Sequence, residues 1–218
     1  MSADALPIRD PRGPGAEDTP LPPEVARLGM WVFLASEVLF FGGLFMAYLY
    51  GRTHWPQAFA EAARHTHVVI GTVNTAILLT SSAVIAAAVA CAQHTPKRQW
   101  AGRLLWITAL LGLAFLVLKG VEYHKEWDEH LFPGRDFALA ATPGATLFFW
   151  LYFVITGMHT VHLIIGVGVV SVFAWGASRS KPWAAGRHID LVALYWHFVD
   201  IVWIFLFPLL YLIGRHLH

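Results

Sequence analysis

The stretch YWHFVDIVWIFLFP, residues 195–208, reads as the middle of a membrane-spanning helix except at two positions. His197 and Asp200 are ionisable, and an ionisable group near the centre of a span costs about 2.5–3.5 kcal/mol on insertion scales. The two residues stand three apart, so on a helix they lie on one face. We therefore expect this face to point toward other helices and away from lipid.

The composition favours a bilayer as the solvent of the whole chain. Of 218 residues, 57% are hydrophobic and only 13% are charged, whereas soluble domains carry about 25% charged residues. A transmembrane helix needs roughly 20 mostly apolar residues, and five segments meet that need: about 28–50, 68–92, 102–123, 145–175 and 190–213. The prediction is an all-α integral membrane bundle of five transmembrane helices, in which Pro208 kinks the last helix without ending it.

The first 27 residues differ from the rest of the chain. They hold six of the twelve prolines, mixed acids and bases, and no apolar run, which is typical of a disordered tail. Residues 28–218 are then predicted to form a single five-helix transmembrane domain.

Lys and Arg are enriched on the cytoplasmic side of a membrane, so the side with more of them is predicted to be cytoplasmic. The side of the N-terminus carries nine, Arg9, Arg12, Arg27, Lys97, Arg98, Arg103, Arg179, Lys181 and Arg187, and the other side five, Arg52, Arg64, Lys125, Arg135 and Arg215. The tail is thus predicted to be cytoplasmic and the C-terminus to lie outside.

Polar groups occur in every predicted span. They are Glu37 in the first, Asn74 in the second, Lys119 and Glu122 in the third, His159 and His162 in the fourth, and His197 and Asp200 in the fifth. With a rise of about 1.5 Å per residue, Glu37, His197 and Asp200 lie about 14, 11 and 15 Å from the cytoplasmic ends of their spans. These three groups therefore share a level. Lys119 and Glu122 either pair near the outer surface or reach separately toward water.

The residues alone leave three functions open. Polar side chains can hydrogen-bond between helices and hold a bundle together. His-x2-His beside His-x2-Asp and a Glu also contains the ligand types of a metal or haem site. A proton or ion path is the third reading, although broken helices and an inverted repeat, common in transporters, are not visible. The single cysteine, Cys91, excludes a disulfide framework. No basic stripe is present, so no nucleic-acid partner is predicted.

Distinctive segments occur in all five spans, in this order: SEVLFFGGLFMAYLY, NTAILLTSS, LKGVEYHKEW, TGMHTVHLIIG and YWHFVDIVWIFLFPLLYL. Together they resemble subunit III of the haem–copper oxidases, the cytochrome c oxidase family, over about residues 27–213. The longest members of that family begin with two further helices. A Pro-rich tail stands in their place here, so the resemblance is to the five-helix bacterial form.

The resemblance implies a non-catalytic subunit of a respiratory terminal oxidase, which reduces oxygen to water and couples aerobic electron transport to proton translocation. This chain would bind no haem or copper, which would lie in partner subunits. It would contact mainly subunit I, together with subunit II and other oxidase subunits, hold phospholipid among the membrane lipids, and support proton uptake and stability. It would be a multi-pass protein of the bacterial inner membrane. The buried polar residues carried over to lipid association or proton-uptake support are Glu37, Asn74, Glu122, His159, His162, His197 and Asp200.

Other functions stay compatible with these residues. Within the superfamily, the alternatives are subunit III of a quinol oxidase and a homologue associated with nitric oxide reductase. The segments EVLFF and EYHKEW followed by FPG favour the cytochrome c branch. From another class of protein, the alternatives are a stand-alone membrane metalloprotein and a proton or ion transporter. Either would use the intramembrane His, Asp and Glu side chains.

Overall fold

A computed structural model describes residues 23–94, 98–135, 137–142, 144–184 and 186–212 of the chain. Its helices are α1 Pro23–His54, α2 Pro56–Arg64, α3 Val68–Gln93, α4 Arg98–Asp128, α5 Ala145–Ser178 and α6 Gly186–Phe207. All of these except α2 are long and apolar enough to cross a membrane. The all-α prediction of five spans is therefore confirmed.

The observed helices extend past most of the predicted spans. Helix α1 begins at Pro23, inside the stretch 1–27 that the sequence predicts as a tail, and α4 continues to Asp128, five residues beyond the predicted end. Proline is well suited to the first position of a helix because the missing N–H would have no partner there. Hydropathy detects the apolar middle of a span, while the helix continues into the polar interface. Residues 1–22 and the predicted span end at residue 213 lie outside the described residues.

Four of the long helices form a closed bundle. Helix α3 packs on α4 and α6, and α5 packs on α4 and α6. Helix α1 packs on the outside of α5 and α6 and is the least buried of the five. We call the end where α1, α4 and α6 begin the N-terminal end, and the other end the far end.

Trp196 occupies the middle of the four-helix bundle. Its side chain is fully buried, and its indole Nε1 donates a hydrogen bond to Ser81 Oγ of α3 at 3.0 Å. A Cβ atom added at Gly112 of α4 would lie 2.6 Å from the Trp196 ring and 2.7 Å from Val167 Cγ2 of α5. Only a glycine at residue 112 therefore lets α4, α5 and α6 approach this closely.

Two short elements complete the far end. Helix α2 is amphipathic and buries Ala58, Phe59, Ala62 and Ala63 against the bundle, where it contacts α5. After α6, the chain continues as one π-helical turn, Pro208–Leu212. Proline has no N–H for an α-helical bond, and the span accordingly changes helical type here without breaking. The Tyr48 hydroxyl of α1 donates to the Leu209 carbonyl at 2.7 Å and so fixes this turn.

Candidate functional site

A lysine is enclosed at the far end by side chains from three elements. Lys119 of α4 is 1% exposed. Its ammonium donates hydrogen bonds to Glu122 Oε2 at 3.1 Å, Tyr152 OH at 2.8 Å and Tyr211 OH at 2.7 Å. The Tyr152 hydroxyl donates to Glu126 Oε1 at 2.5 Å. We call these five residues the Lys119 network.

The Lys119 network decides between the two placements predicted for Lys119 and Glu122. Both side chains are buried and paired, so the lysine does not reach out to water. An ammonium has three N–H donors, and all three have acceptors here. Tyr211 contacts the lysine from the π-helical turn. The single charged group of Lys119 therefore joins α4, α5 and the end of the last span.

A second polar contact joins α1 to α5. His162 Nε2 lies 3.0 Å from Glu37 Oε2, and His162 Nδ1 lies 2.8 Å from the Met158 carbonyl oxygen. Because a carbonyl oxygen can only accept, Nδ1 carries a hydrogen. One further proton is then shared between Nε2 and Oε2, either as imidazolium and carboxylate or as imidazole and carboxylic acid. The Tyr195 hydroxyl donates to the His162 carbonyl at 2.9 Å and holds this turn of α5 against α6.

His197 and Asp200, on which the prediction of a polar face rested, lie between α6 and α3. His197 Nδ1 is 2.8 Å from Ser82 Oγ, while Trp203 Nε1 donates to Thr75 Oγ1 at 3.0 Å one and a half turns along. Asp200 is 3% exposed, which fits the prediction that it faces the interior. Although Glu37, His197 and Asp200 are predicted to share a level, the structure does not pair them with one another. His197 contacts Ser82, and Glu37 contacts His162.

Some buried polar atoms have spare hydrogen-bonding capacity. Neither carboxylate oxygen of Asp200 forms a hydrogen bond of good geometry with a described residue, although the Ser82 hydroxyl lies close enough to interact with it. Both polar side-chain atoms of the fully buried Asn74 likewise have no partner in the described part of the chain. An unsatisfied buried polar group costs about 1–3 kcal/mol. Asn74 and Asp200 are thus less completely satisfied than the Lys119 network, in which Glu126 Oε2 has no partner among the described residues.

His159 is separate from the other histidines. Its Nε2 donates to the Val199 carbonyl of α6 at 3.2 Å, and its ring packs against Phe115 and Trp203. His159 and His162 are three residues apart in the sequence. Their side chains contact different helices, so the two imidazoles do not face a common ligand. Over the residues that the structure describes, no three His, Cys, Asp or Glu side chains are grouped so that they could hold a metal ion.

The sequence placed all seven candidate residues in spans, and the structure distributes them over separate contacts. Glu122 belongs to the Lys119 network, and Glu37 and His162 form a pair. His159 contacts the Val199 carbonyl and His197 contacts Ser82. Asn74 and Asp200 are buried without a hydrogen bond of good geometry to a described residue. Sequence reasoning missed Glu126, Tyr152 and Tyr211. Glu126 follows Glu122 by four residues and Lys119 by seven, so its place on the same helix face was available as a signal. The two tyrosines had no comparable signal, because aromatic residues are ordinary in spans.

Comparison with known proteins adds to this geometry. The family model described as "Cytochrome c oxidase subunit III" matches residues 18–215. A cytochrome c oxidase subunit 3 from Thermostichus vulcanus is 34% identical over 201 residues, which cover 88% of this chain and 90% of that protein. One from Corynebacterium diphtheriae is 33% identical over 198 residues, covering 88% and 89% of the two chains.

One further relative is a longer protein. A haem–copper oxidase subunit I+III from Aeropyrum pernix is 32% identical over 213 residues, which cover 90% of this chain but only 24% of that protein. The similar region is therefore one part of a much larger polypeptide in that organism.

Proposed function

The chain belongs to the cytochrome c oxidase subunit III family, and we propose that it acts as the non-catalytic subunit III of a terminal oxidase that reduces oxygen to water and translocates protons. The family match over residues 18–215 carries this proposal. Haem and copper are then held by subunits I and II. This chain contributes a membrane-embedded support, whose polar side chains are used mainly to join its own helices.

The charged interior supports a stabilising role. Lys119, Glu122 and Glu126 are buried in one network, and a buried charge is tolerated only when it is paired and hydrogen-bonded. Such a network makes one arrangement of α4, α5 and the π-helical turn much more favourable than others. A subunit of fixed shape can hold a fixed surface against its partner.

Subunit I is the proposed main partner. The Aeropyrum pernix relative is named as subunit I+III, and a fused chain keeps its two parts at high local concentration. By analogy, we place this separate chain against subunit I, with subunit II and the other subunits completing the oxidase. Electron donation by cytochrome c, and not by a quinol, is proposed from the names of the relatives. The complex is placed in the bacterial inner membrane.

Two finer roles are part of the proposal. The first is to hold phospholipid among the helices, for which α1, the least buried of the five, offers an apolar surface. The second is to support proton uptake by the catalytic subunit. The Glu37–His162 contact supports this second role, because it holds a proton between two groups that are 19% and 12% exposed. The pair is thus open at the surface of the bundle, where the catalytic subunit is proposed to pack.

Purification of the tagged chain from the cells that make it tests the main proposal. We expect subunits I and II to co-purify in a mild detergent, with haem and copper in a fixed ratio to the tagged chain. Removal of this chain should leave initial oxygen reduction measurable and shorten the time for which activity lasts. Recovery of the tagged chain without any haem-bearing partner would contradict the proposal.

A substitution separates the support from a metalloprotein. His159→Ala should leave the metal content of the purified complex unchanged, because His159 donates to a carbonyl and contacts two aromatic rings. If this chain held its own metal through the candidate histidines, His159→Ala should release it. Elemental analysis of the complex before and after the substitution distinguishes these results.

A further inference from the structure

The Lys119 network contains more acids than bases. One ammonium, on Lys119, faces two carboxyl groups, on Glu122 and Glu126, and none of the three residues is more than 1% exposed. With both carboxyl groups ionised, the network would carry one uncompensated negative charge in the interior of the bundle. A buried charge without a partner is costly, and an ionisable group in such a place neutralises instead. The charge balance therefore requires one further proton in the network.

The two carboxyl groups are held unequally. Glu122 Oε2 accepts a hydrogen bond directly from the ammonium at 3.1 Å. Glu126 Oε1 contacts the Tyr152 hydroxyl at 2.5 Å, while Glu126 Oε2 is buried without a partner among the described residues. An unpaired oxygen is less costly on a neutral carboxyl group than on a carboxylate. The structure thus favours Glu126 as a holder of the further proton.

Tyr152 connects the two carboxyl groups. Its hydroxyl oxygen lies 3.1 Å from Glu122 Oε1 and 2.5 Å from Glu126 Oε1. A phenol donates one hydrogen bond and also accepts, so Tyr152 donates to one carboxylate while it accepts from the other carboxyl group. As the proton of Glu126 passes to the Tyr152 oxygen, the phenolic proton passes to Glu122 Oε1. The phenol is regenerated, and the number of protons in the network does not change.

The network approaches the surface at the far end. Glu129 follows Glu126 by three residues, about 4.5 Å along the helix axis, and its backbone N–H continues the helical bonding to the Lys125 carbonyl at 2.9 Å. The Glu129 side chain is 48% exposed, and its Oε1 lies 3.6 Å from His67 Nε2. Glu129, Lys125 and His67 line an open pocket of about 600 Å³. An acid in contact with water therefore stands one helical turn from Glu126.

We propose that the Lys119 network is a proton-exchange site that opens toward the far end. It binds one proton, which Glu122 and Glu126 share through Tyr152, and it exchanges this proton with water of the pocket through Glu129. The other titratable groups around it are Lys119 and Tyr123 of α4 and Tyr211 of the π-helical turn. The site goes beyond the proposed function, because it needs no group of a partner subunit.

Infrared difference spectroscopy of the purified complex at neutral pH tests the site. A protonated carboxyl group has a C=O stretching band that a carboxylate lacks, and this band moves to lower frequency in D2O. Glu126→Gln should remove the band of one carboxyl group, because Glu122 then stays ionised beside the ammonium. Glu122→Gln should also remove one band, because Glu126 then becomes the anion that balances Lys119. The double substitution should remove no second band.

Tyr152→Phe tests the connection between the two carboxyl groups. The charge balance is unchanged, so one band should remain. It should move to higher frequency, because the protonated carboxyl group loses its hydrogen bond to the phenol. Complete loss of the band in Tyr152→Phe would contradict the assignment of the proton to the carboxyl groups.

The rate of exchange tests the opening toward the far end. After transfer of the complex into D2O, Glu129→Gln should keep the band and slow its shift to lower frequency. Asp128→Asn is the matched control, since it changes a neighbouring exposed acid outside the pocket and should leave both the band and its rate of shift unchanged. An equal rate in wild type and Glu129→Gln would overturn the proposed route.

The outcomes separate this site from the proposed function. Haem content of the wild-type complex reports whether the subunit assembles with an oxidase, whereas the infrared band reports on carboxyl groups of this chain alone. Because Glu122→Gln and Glu126→Gln remove the same band through different side chains, either variant is sufficient if the other fails to assemble. An assembled variant whose spectrum keeps every carboxyl band of wild type would overturn the proton-exchange site.

Discussion

Lys119 is a cation enclosed deep in the bundle, with only 1% of its surface exposed. Its ammonium has acceptors for all three N–H groups, and it lies within 4.8–5.9 Å of four aromatic ring centres. Removal of the ammonium would leave Glu122 and Glu126 close together in the interior with no cation. Breaking one side of a buried ion pair costs more than the pair contributes, because the remaining charge stays desolvated.

Lys119→Met should therefore lower the free energy of unfolding of the purified chain in lipid–detergent micelles by about 3–5 kcal/mol. Lys125→Met removes an exposed cation six residues along α4 and should change that free energy by less than about 1 kcal/mol. Equal effects of the two substitutions would show that the Lys119 network does not stabilise the fold.

The Glu37–His162 contact can be measured as a coupling energy. A double-mutant cycle with Glu37→Met and His162→Phe should give about 0.6–1.7 kcal/mol, the range of hydrogen bonds between helices in membranes. Glu37→Met combined with Thr72→Val should be additive, because Thr72 of α3 bonds to its own helix. A coupling of zero between Glu37 and His162 would contradict the contact of 3.0 Å.

Sequence reasoning identified the interior polar residues but not all of their partners. Burial follows from insertion cost, so Asp200 and His159 could be placed inside from residue type alone. Partners depend on the rotation and offset of two helices, which hydropathy does not encode. His197 therefore meets Ser82, a residue that the sequence offered only as one of many small side chains in α3. The roles of these residues in lipid binding and proton uptake stay predictions.

At the scale of elements, close approach of α4 to α5 and α6 depends on one glycine. Gly112→Ala would place a methyl group 2.6 Å from the Trp196 ring, and Trp196 is held by Ser81 and cannot easily retreat. Overpacking of this kind costs about 1–3 kcal/mol. We expect that loss in the free energy of unfolding of the purified chain.

Gly120 gives a matched control on the same helix. A Cβ atom there meets nothing within 4 Å, so Gly120→Ala should be neutral or stabilise the chain by up to about 1 kcal/mol. A similar destabilisation by both substitutions would indicate a general effect of helix composition. It would contradict the assignment of Trp196 to the junction of the four helices.

The long helices were predictable because each contains an apolar run of the length of a bilayer. Helix α2 gives no such signal, since nine residues are too few to span lipid. Its pattern of Ala58, Phe59, Ala62 and Ala63 on one face would have indicated an amphipathic helix. The π-helical character of Pro208–Leu212 was also beyond the sequence, because proline alone indicates a disturbed α-helix and not which geometry replaces it.

For the whole molecule, the asymmetry of Lys and Arg predicts its direction in the membrane. Of the residues counted, Arg9, Arg12, Lys97 and Arg215 lie outside the described residues. Those in the described ranges still divide between the two ends, with Arg103 and Lys181 at the N-terminal end and Arg64 and Lys125 at the far end. The full count of nine against five predicts that the N-terminal end lies in the cytoplasm.

Cysteine labelling tests this direction on the assembled complex in cells. In a Cys91→Ser background, Glu61→Cys on α2 should react with a membrane-impermeant maleimide in cells whose inner membrane is intact, because α2 lies at the far end. Lys181→Cys, between α5 and α6, should react only after the membrane is opened. The reverse labelling pattern would show that the predicted orientation is wrong. Because each cysteine serves as the control for the other, a reagent that leaks across the membrane would label both and be recognised.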